Sequence, residues 1–272
     1  MRTRTIERVL WFLFGTSAVL IAIGSIFSIK SDAFWLVATY LPLLILIGHA
    51  CLTLTPRRGL CFIFGAALTG YLAESISLHN STLFGGTYTY PETAALSGVP
   101  LAVIAYWAVF IYMGYWLVNS FLVWRNKAKP SKDSASFSAL ALLILFDGLA
   151  VTAIDLLMDP VNVALGKWTW TSGGSYYGVP LGNFVGWFFV TILVTGCFRI
   201  YEYYRPQRQL NWRKSIILLP VLGYLLTGLT FLADSVRLHM WSLAGVGAMI
   251  VLLPAIVSLV VYYFSRHRST KA

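Results

Sequence analysis

Runs of apolar residues long enough to cross a bilayer recur eight times along this chain, at about 9–28, 34–54, 60–78, 100–124, 138–158, 181–202, 214–233 and 241–264. A helix crosses the hydrocarbon layer with roughly 20 such residues. The pattern therefore predicts an all-α integral membrane protein of about eight transmembrane helices, forming a single bundle over 1–272. Most connections are short. Two are long, 79–99 and 159–180, and a third, 125–137, is a polar linker.

The two long connections read alike. Gly86-Thr87-Tyr88-Thr89-Tyr90 matches Gly166-Lys167-Trp168-Thr169-Trp170, Gly98-Val99-Pro100-Leu101 matches Gly178-Val179-Pro180-Leu181, and Trp107 matches Trp187. All three matches share one spacing, 80 residues (166 − 86, 178 − 98 and 187 − 107). A fixed spacing is the mark of an internal repeat. It predicts two parallel units, about 60–124 and 138–202, each a span, a loop and a span, with 125–137 as the boundary. Glu74 falls one residue from register with Asp155, and His79 falls on Asp159.

Composition agrees with a membrane class: 58% of residues are hydrophobic and 11% charged, against about 25% charged in soluble domains. The net charge of +10 does not point to nucleic acid, because the basic residues are spread between apolar runs. With eight spans, 17 of the 20 Lys and Arg fall on the side of both termini, and only Lys30, Lys167 and Arg237 fall opposite. The positive-inside bias places both termini in the cytoplasm of a cell-membrane protein. Orientation alone accounts for these charges, and no chemistry is assigned to them. Both repeat loops then lie on the non-cytoplasmic side. The first apolar run lacks a small-residue cleavage site and reads as a signal anchor. Cys51, Cys61 and Cys197 lie in apolar runs without metal-ligand spacing and read as small buried hydrophobes.

Ionisable groups within a span cost about 2.5–3.5 kcal/mol on insertion scales and mark function by default. Five acids qualify: Glu74, Asp147, Asp155, Asp159 and Asp234. Steps of four keep Asp147, Asp155 and Asp159 on one drifting stripe. Glu74, Asp155, Asp159, His79, Asp234 and His239 all fall near the outer ends of their spans, beside the aromatic loops. A carboxyl in apolar surroundings is an acid able to protonate a weak base, two neighbouring carboxyls divide the roles of acid and base, and aromatic faces stabilise a cation. Protonating an alkene and guiding the resulting carbocation needs that set. Structural readings stand beside the functional ones. Asp159, before Pro160, marks a helix end as readily as a site. Asp147 suits helix–helix hydrogen bonding, and Asp234 pairing with Arg237 or His239. His49 reads as a packing histidine and His79 as an interface residue. Trp168, Trp170, Tyr88 and Tyr90 suit an interfacial aromatic belt or a cavity wall, and Asn183 a cap or packing residue as readily as a water-binding one.

Asp159-Pro160, Ala164-Leu165-Gly166, Trp168-Thr169-Trp170, Tyr176 through Leu181, Asn183 and Gly186-Trp187, with the upstream Gly85 through Tyr90 and Gly98 through Leu101, resemble the CruF-type membrane proteins of carotenoid biosynthesis. That family includes carotenoid 1,2-hydratases and bisanhydrobacterioruberin hydratases. The resemblance is firm from about 70 to 203 and general elsewhere. It implies addition of water to the terminal C1=C2 bond of an acyclic carotenoid such as lycopene, with no cofactor and no metal. The implied surroundings are a lipophilic carotenoid, the bilayer and other carotenoid enzymes. The residues themselves suggest Glu74, Asp155 and Asp159 as the catalytic acids, with Glu74 or Asp155 as proton donor. Tyr88, Tyr90, Trp168, Trp170, Tyr176, Tyr177 and Asn183 are the candidate substrate-binding side chains. Three rivals stay open at this point. A carotenoid cyclase would trap the same cation internally, and a polyprenyl transferase would use Asp155 and Asp159 on a metal diphosphate. A proton-coupled transporter would also carry acids in duplicated spans.

Overall fold

The protein is described by a computed structural model over residues 2–27, 29, 31–80, 84–91, 95–125, 129–132, 137–207 and 212–269. Lys30, Lys127, Arg208 and Lys271, counted above for orientation, lie outside these residues.

Eight helical segments are long and apolar enough to cross a membrane. Six are single helices: α1 (Arg2–Phe27), α2 (Asp32–Thr53), α3 (Pro56–His79), α4 (Leu101–Trp124), α5 (Phe137–Ala164) and α6 (Leu181–Tyr204). The seventh span runs from a short 3-10 turn, Lys214–Ile217, into α7 (Leu218–Arg237). The eighth is α8 (Trp241–Gly247), a π turn at Ala248–Leu252, and α9 (Leu253–Ser269). Pro254 explains the wide turn. It has no N–H to return to the preceding turn, so the ladder opens there without ending.

Helix starts follow local chemistry. The Ser31 side chain caps α2 by accepting from the Phe34 N–H at 3.3 Å. Pro56 occupies the first turn of α3, where a missing N–H costs nothing. Pro100 and Pro180 sit in the cap positions of α4 and α6. One expected boundary moves. Helix α5 continues through Pro160 to Ala164, so Asp159 does not end it. Asp155 and Asp159 are consecutive turns of one helix.

Helix α4 is the centre of the bundle, and every residue from Trp107 to Leu117 is buried. Glycines set the distances around it. A Cβ on Gly70 would lie 2.2 Å from the Trp107 ring, and one on Gly114 would lie 2.6 Å from Val151. On α5, Gly148 receives Ile192 and Phe188 of α6 in the same way.

The two long loops meet at one end of the bundle. β1 (Tyr88–Thr89) pairs antiparallel with β4 (Thr169–Trp170), with Tyr88 opposite Trp170 and Thr89 opposite Thr169. Each loop then makes a tight hairpin before its next helix. In the first, β2 (Ala95–Leu96) pairs with β3 (Val99–Pro100), with Ser97 at φ 50° and Gly98 at φ 82° in the turn. In the second, Tyr176 pairs with Val179 across Tyr177 at φ 50° and Gly178 at φ 86°. Two successive positive φ values are what a two-residue hairpin turn needs. Gly85 and Gly182 bring the first loop onto the start of α6: a Cβ on Gly182 would lie 2.8 Å from the Gly85 Cα.

Candidate active site

Beneath the paired strands, α3, α5 and α6 bring three carboxyl groups together. Glu74, Asp155 and Asp159 are all buried, at 4%, 0% and 3% exposure. They face the interior, not lipid, and each lies within electrostatic reach of the other two.

Glu74 receives three donors. Tyr88 and Tyr90 both donate to Oε2, the latter at 2.9 Å, and Trp107 Nε1 donates to Oε1 at 3.0 Å. The strand register makes this possible, because Tyr88 and Tyr90 are two residues apart on β1 and its edge and point to the same face. Burial first, and the charge of Glu74 second, push both phenols above the ordinary tyrosine range.

Asp155 and Asp159 share one donor. Asn183 Nδ2, on the first turn of α6, donates to Asp155 Oδ2 at 2.8 Å and to Asp159 Oδ2 at 2.7 Å. The two bonds meet at one nitrogen, so the two Oδ2 atoms are no more than 5.5 Å apart (2.8 + 2.7). Trp168 Nε1 fills the remaining oxygen, Oδ1, of Asp159. Asp155 Oδ1 is buried and, among the described residues, has no hydrogen-bond partner. Among the described residues, none of the three carboxyls pairs with a basic side chain.

The aromatic shell is continuous. Tyr88 lies 4.6 Å from Trp170 and Tyr90 lies 5.9 Å from Trp168, measured between ring centroids. Trp107 and Trp187 stack below, 3.8 Å apart and within 14° of parallel. Trp170 Nε1 is also buried and, among the described residues, has no hydrogen-bond partner.

Most of the candidate residues converge here: Glu74, Asp155, Asp159, Tyr88, Tyr90, Trp168, Trp170 and Asn183. Asn183 bonds the acids. Tyr176 and Tyr177 stand apart in the outer hairpin. Tyr176 packs on Phe184 and Tyr177, and Tyr177 is exposed. His79 is exposed and bonds back to Ser75 O at 2.8 Å. Asp234 pairs with Arg237 at 3.3 Å, the structural alternative named above. His49 is the packing histidine expected, held by Tyr112 at 2.7 Å and Ile216 O at 3.2 Å.

Asp147 belongs to a second polar network toward the opposite end of the bundle. Arg199 grips it through Nε at 2.5 Å and Nη2 at 2.7 Å and donates from Nη1 to Asn119 Oδ1 at 3.0 Å. Next to it, Glu202 accepts from Tyr115 at 2.5 Å and from Lys129 at 2.7 Å. This corrects the assignment of the basic residues to orientation alone. Arg199 is buried, at 2% exposure, and with Lys129 it neutralises acids inside the bundle. Counting charges by loop hid this. The signal available was the pair Arg199 and Glu202, three positions apart at the end of an apolar run.

Residues 32–254, most of the chain, match the family model described as carotenoid biosynthesis protein. No curated protein and no solved structure matches the chain. The match extends from the second span across both long loops and into the eighth span, and the chain belongs to the carotenoid biosynthesis protein family.

Proposed function

We propose that the protein is a carotenoid hydratase that adds water across the terminal C1=C2 bond of an acyclic end group. The observation that carries this reading is Asp155 Oδ1, the one oxygen of three buried carboxyls without a partner among the described residues, in an aromatic enclosure. An unpaired polar atom in such a place calls for a partner that arrives with the substrate.

The hydrogen bonds support a division of roles. Asp159 accepts on both oxygens and Glu74 accepts three bonds, which suits carboxylates. Asp155 accepts on one oxygen only, which leaves Oδ1 to carry a proton. Asp155 Oδ1–H transfers its proton to C2 as the C1=C2 electron pair forms the new C–H bond, and a tertiary cation develops at C1. The Glu74 carboxylate and the indole and phenol faces offset that charge. Water attacks C1, Asp159 takes the proton it releases, and that proton returns to Asp155 across the short gap spanned by Asn183. The sum is one water added, with no change of oxidation state.

Asn183 bears on the polyprenyl transferase alternative. Its N–H donor sits between Asp155 and Asp159, where a shared metal ion would require only acceptors.

The test is expression in cells that accumulate lycopene, followed by mass analysis of the pigments. A gain of one water supports the hydratase. An isomer of unchanged mass points to a cyclase, and no change of pigment contradicts both.

A further inference from the structure

Three segments meet at the end of the bundle opposite the strands, and they carry more positive charge than they balance. These are the α2–α3 corner, the stretch after α6, and the linker after α4. Arg58 Nη2 donates to Arg205 O at 3.0 Å, Gln207 Nε2 donates to Thr53 O at 3.1 Å, and Lys132 N donates to Tyr203 O at 3.2 Å. Arg58 lies over the Tyr201 ring at 5.0 Å and within electrostatic reach of Lys129.

The acids nearby are already committed. Glu202 is held by Lys129 and Tyr115, and Asp147 by Arg199. Arg58 makes no ion pair among the described residues. Among the described residues its Nη1 is buried without an acceptor, and Gln207 Oε1, two positions after the Arg205 that Arg58 bonds, is buried without a donor. A charged donor left unpaired in a buried position is costly, by about 1–3 kcal/mol or more, and each such atom asks for its missing partner.

We propose that this junction binds the phosphate group of an anionic membrane lipid. Arg58 Nη1 and Lys129 Nζ donate to the phosphate oxygens, and Gln207 Oε1 accepts from a headgroup hydroxyl. The guanidinium edge suits phosphate geometry. The site is separate from the acid cluster and does not depend on the hydratase reading.

Native mass spectrometry of the detergent-solubilised full chain tests it, with phosphatidylglycerol and phosphatidylcholine as probes and inorganic phosphate in a separate arm read by thermal unfolding. The expected result is retention of phosphatidylglycerol over phosphatidylcholine. Arg58→Gln should weaken that retention about tenfold, the scale of one charge-assisted hydrogen bond, and the exposed neighbour Arg57→Gln should not. If Arg58→Gln does not fold, Arg58→Lys, which keeps the charge and loses the second donor, replaces it. A melting shift with inorganic phosphate, without lipid retention, keeps the phosphate site and assigns it to a soluble anion. Equal retention of both lipids by the wild-type chain, with no shift in phosphate, overturns the proposal.

Discussion

Trp107 of α4 and Trp187 of α6 stack face to face, with centroids 3.8 Å apart, and they stand 80 positions apart in the chain. Two other pairs at that spacing also touch. Thr89 lies opposite Thr169 in the strand pair, and Asn119 bonds Arg199. Units related by a two-fold rotation can touch their own counterparts only along the axis. Three such contacts at three depths support the proposed repeat of 60–124 and 138–202, with its axis running between α4 and α6.

Gly70 is what lets Trp107 lie in that stack. In a helix, Gly→Ala ordinarily gains about 1 kcal/mol. Here the new methyl would meet the Trp107 ring at 2.2 Å, and overpacking costs about 1–3 kcal/mol. The clash outweighs the propensity, so Gly70→Ala should lower the thermal unfolding temperature in detergent. A stabilised variant would show that the indole can step aside.

The Asp147–Arg199 pair gives a double-mutant prediction. Arg199→Leu strands a buried carboxylate and should cost about 3–5 kcal/mol, whereas Asp147→Leu with Arg199→Leu should recover much of that loss. Unfolding of the three proteins in detergent decides it. A double-variant loss equal to the sum of the Arg199→Leu loss and the Asp147→Leu loss would mean that the pair is not coupled.

The spans were legible because a bilayer admits only long apolar helices, although the first starts six residues earlier than its apolar run and the fifth ends six residues later. The acid cluster was legible for the same reason: carboxyls are too costly in apolar runs to be accidental. The division of labour among them was not. It depends on Asn183 reaching across from α6 and on the pairing of two loops far apart in sequence, neither of which leaves a periodic trace. Pro160 misled in one respect, since the bundle holds α5 helical through it. Arg199 and Lys129 look like topological signals in the sequence because a charge count does not record which way a side chain turns.

The buried phenols give a pH prediction. Tyr88 and Tyr90 are pushed above the ordinary range, mainly by burial and then by Glu74. A raised folded value means that the folded state holds its proton where the unfolded chain has begun to lose it, above about pH 10. Their contribution to stability is therefore complete below that pH and is lost as pH rises further. In a near-ultraviolet absorbance titration of the folded protein, Tyr88→Phe with Tyr90→Phe should leave the phenolate signal up to about pH 11 unchanged. Loss of two early phenolates in that variant would contradict the burial argument.

Asn183 orients two acids at once, so its removal should act on rate through both. Asn183→Leu should lower the hydration rate by about 10²-fold or more, the scale of one acid–base contribution, while Asn183→Gln restores part of it. Assays in isolated membranes with a lycopene-type substrate would read this. Full activity in the leucine variant would remove Asn183 from the proton path.

The central claim is that Asp155 donates the proton, and one substitution bears on it most directly. Asp155→Asn keeps the shape of the side chain and removes the acid. Pigments from lycopene-accumulating cells that express the wild-type chain should carry one added water, and cells expressing Asp155→Asn at equal protein level should hold unreacted lycopene. Hydrated product from the asparagine variant at the wild-type rate would contradict the account.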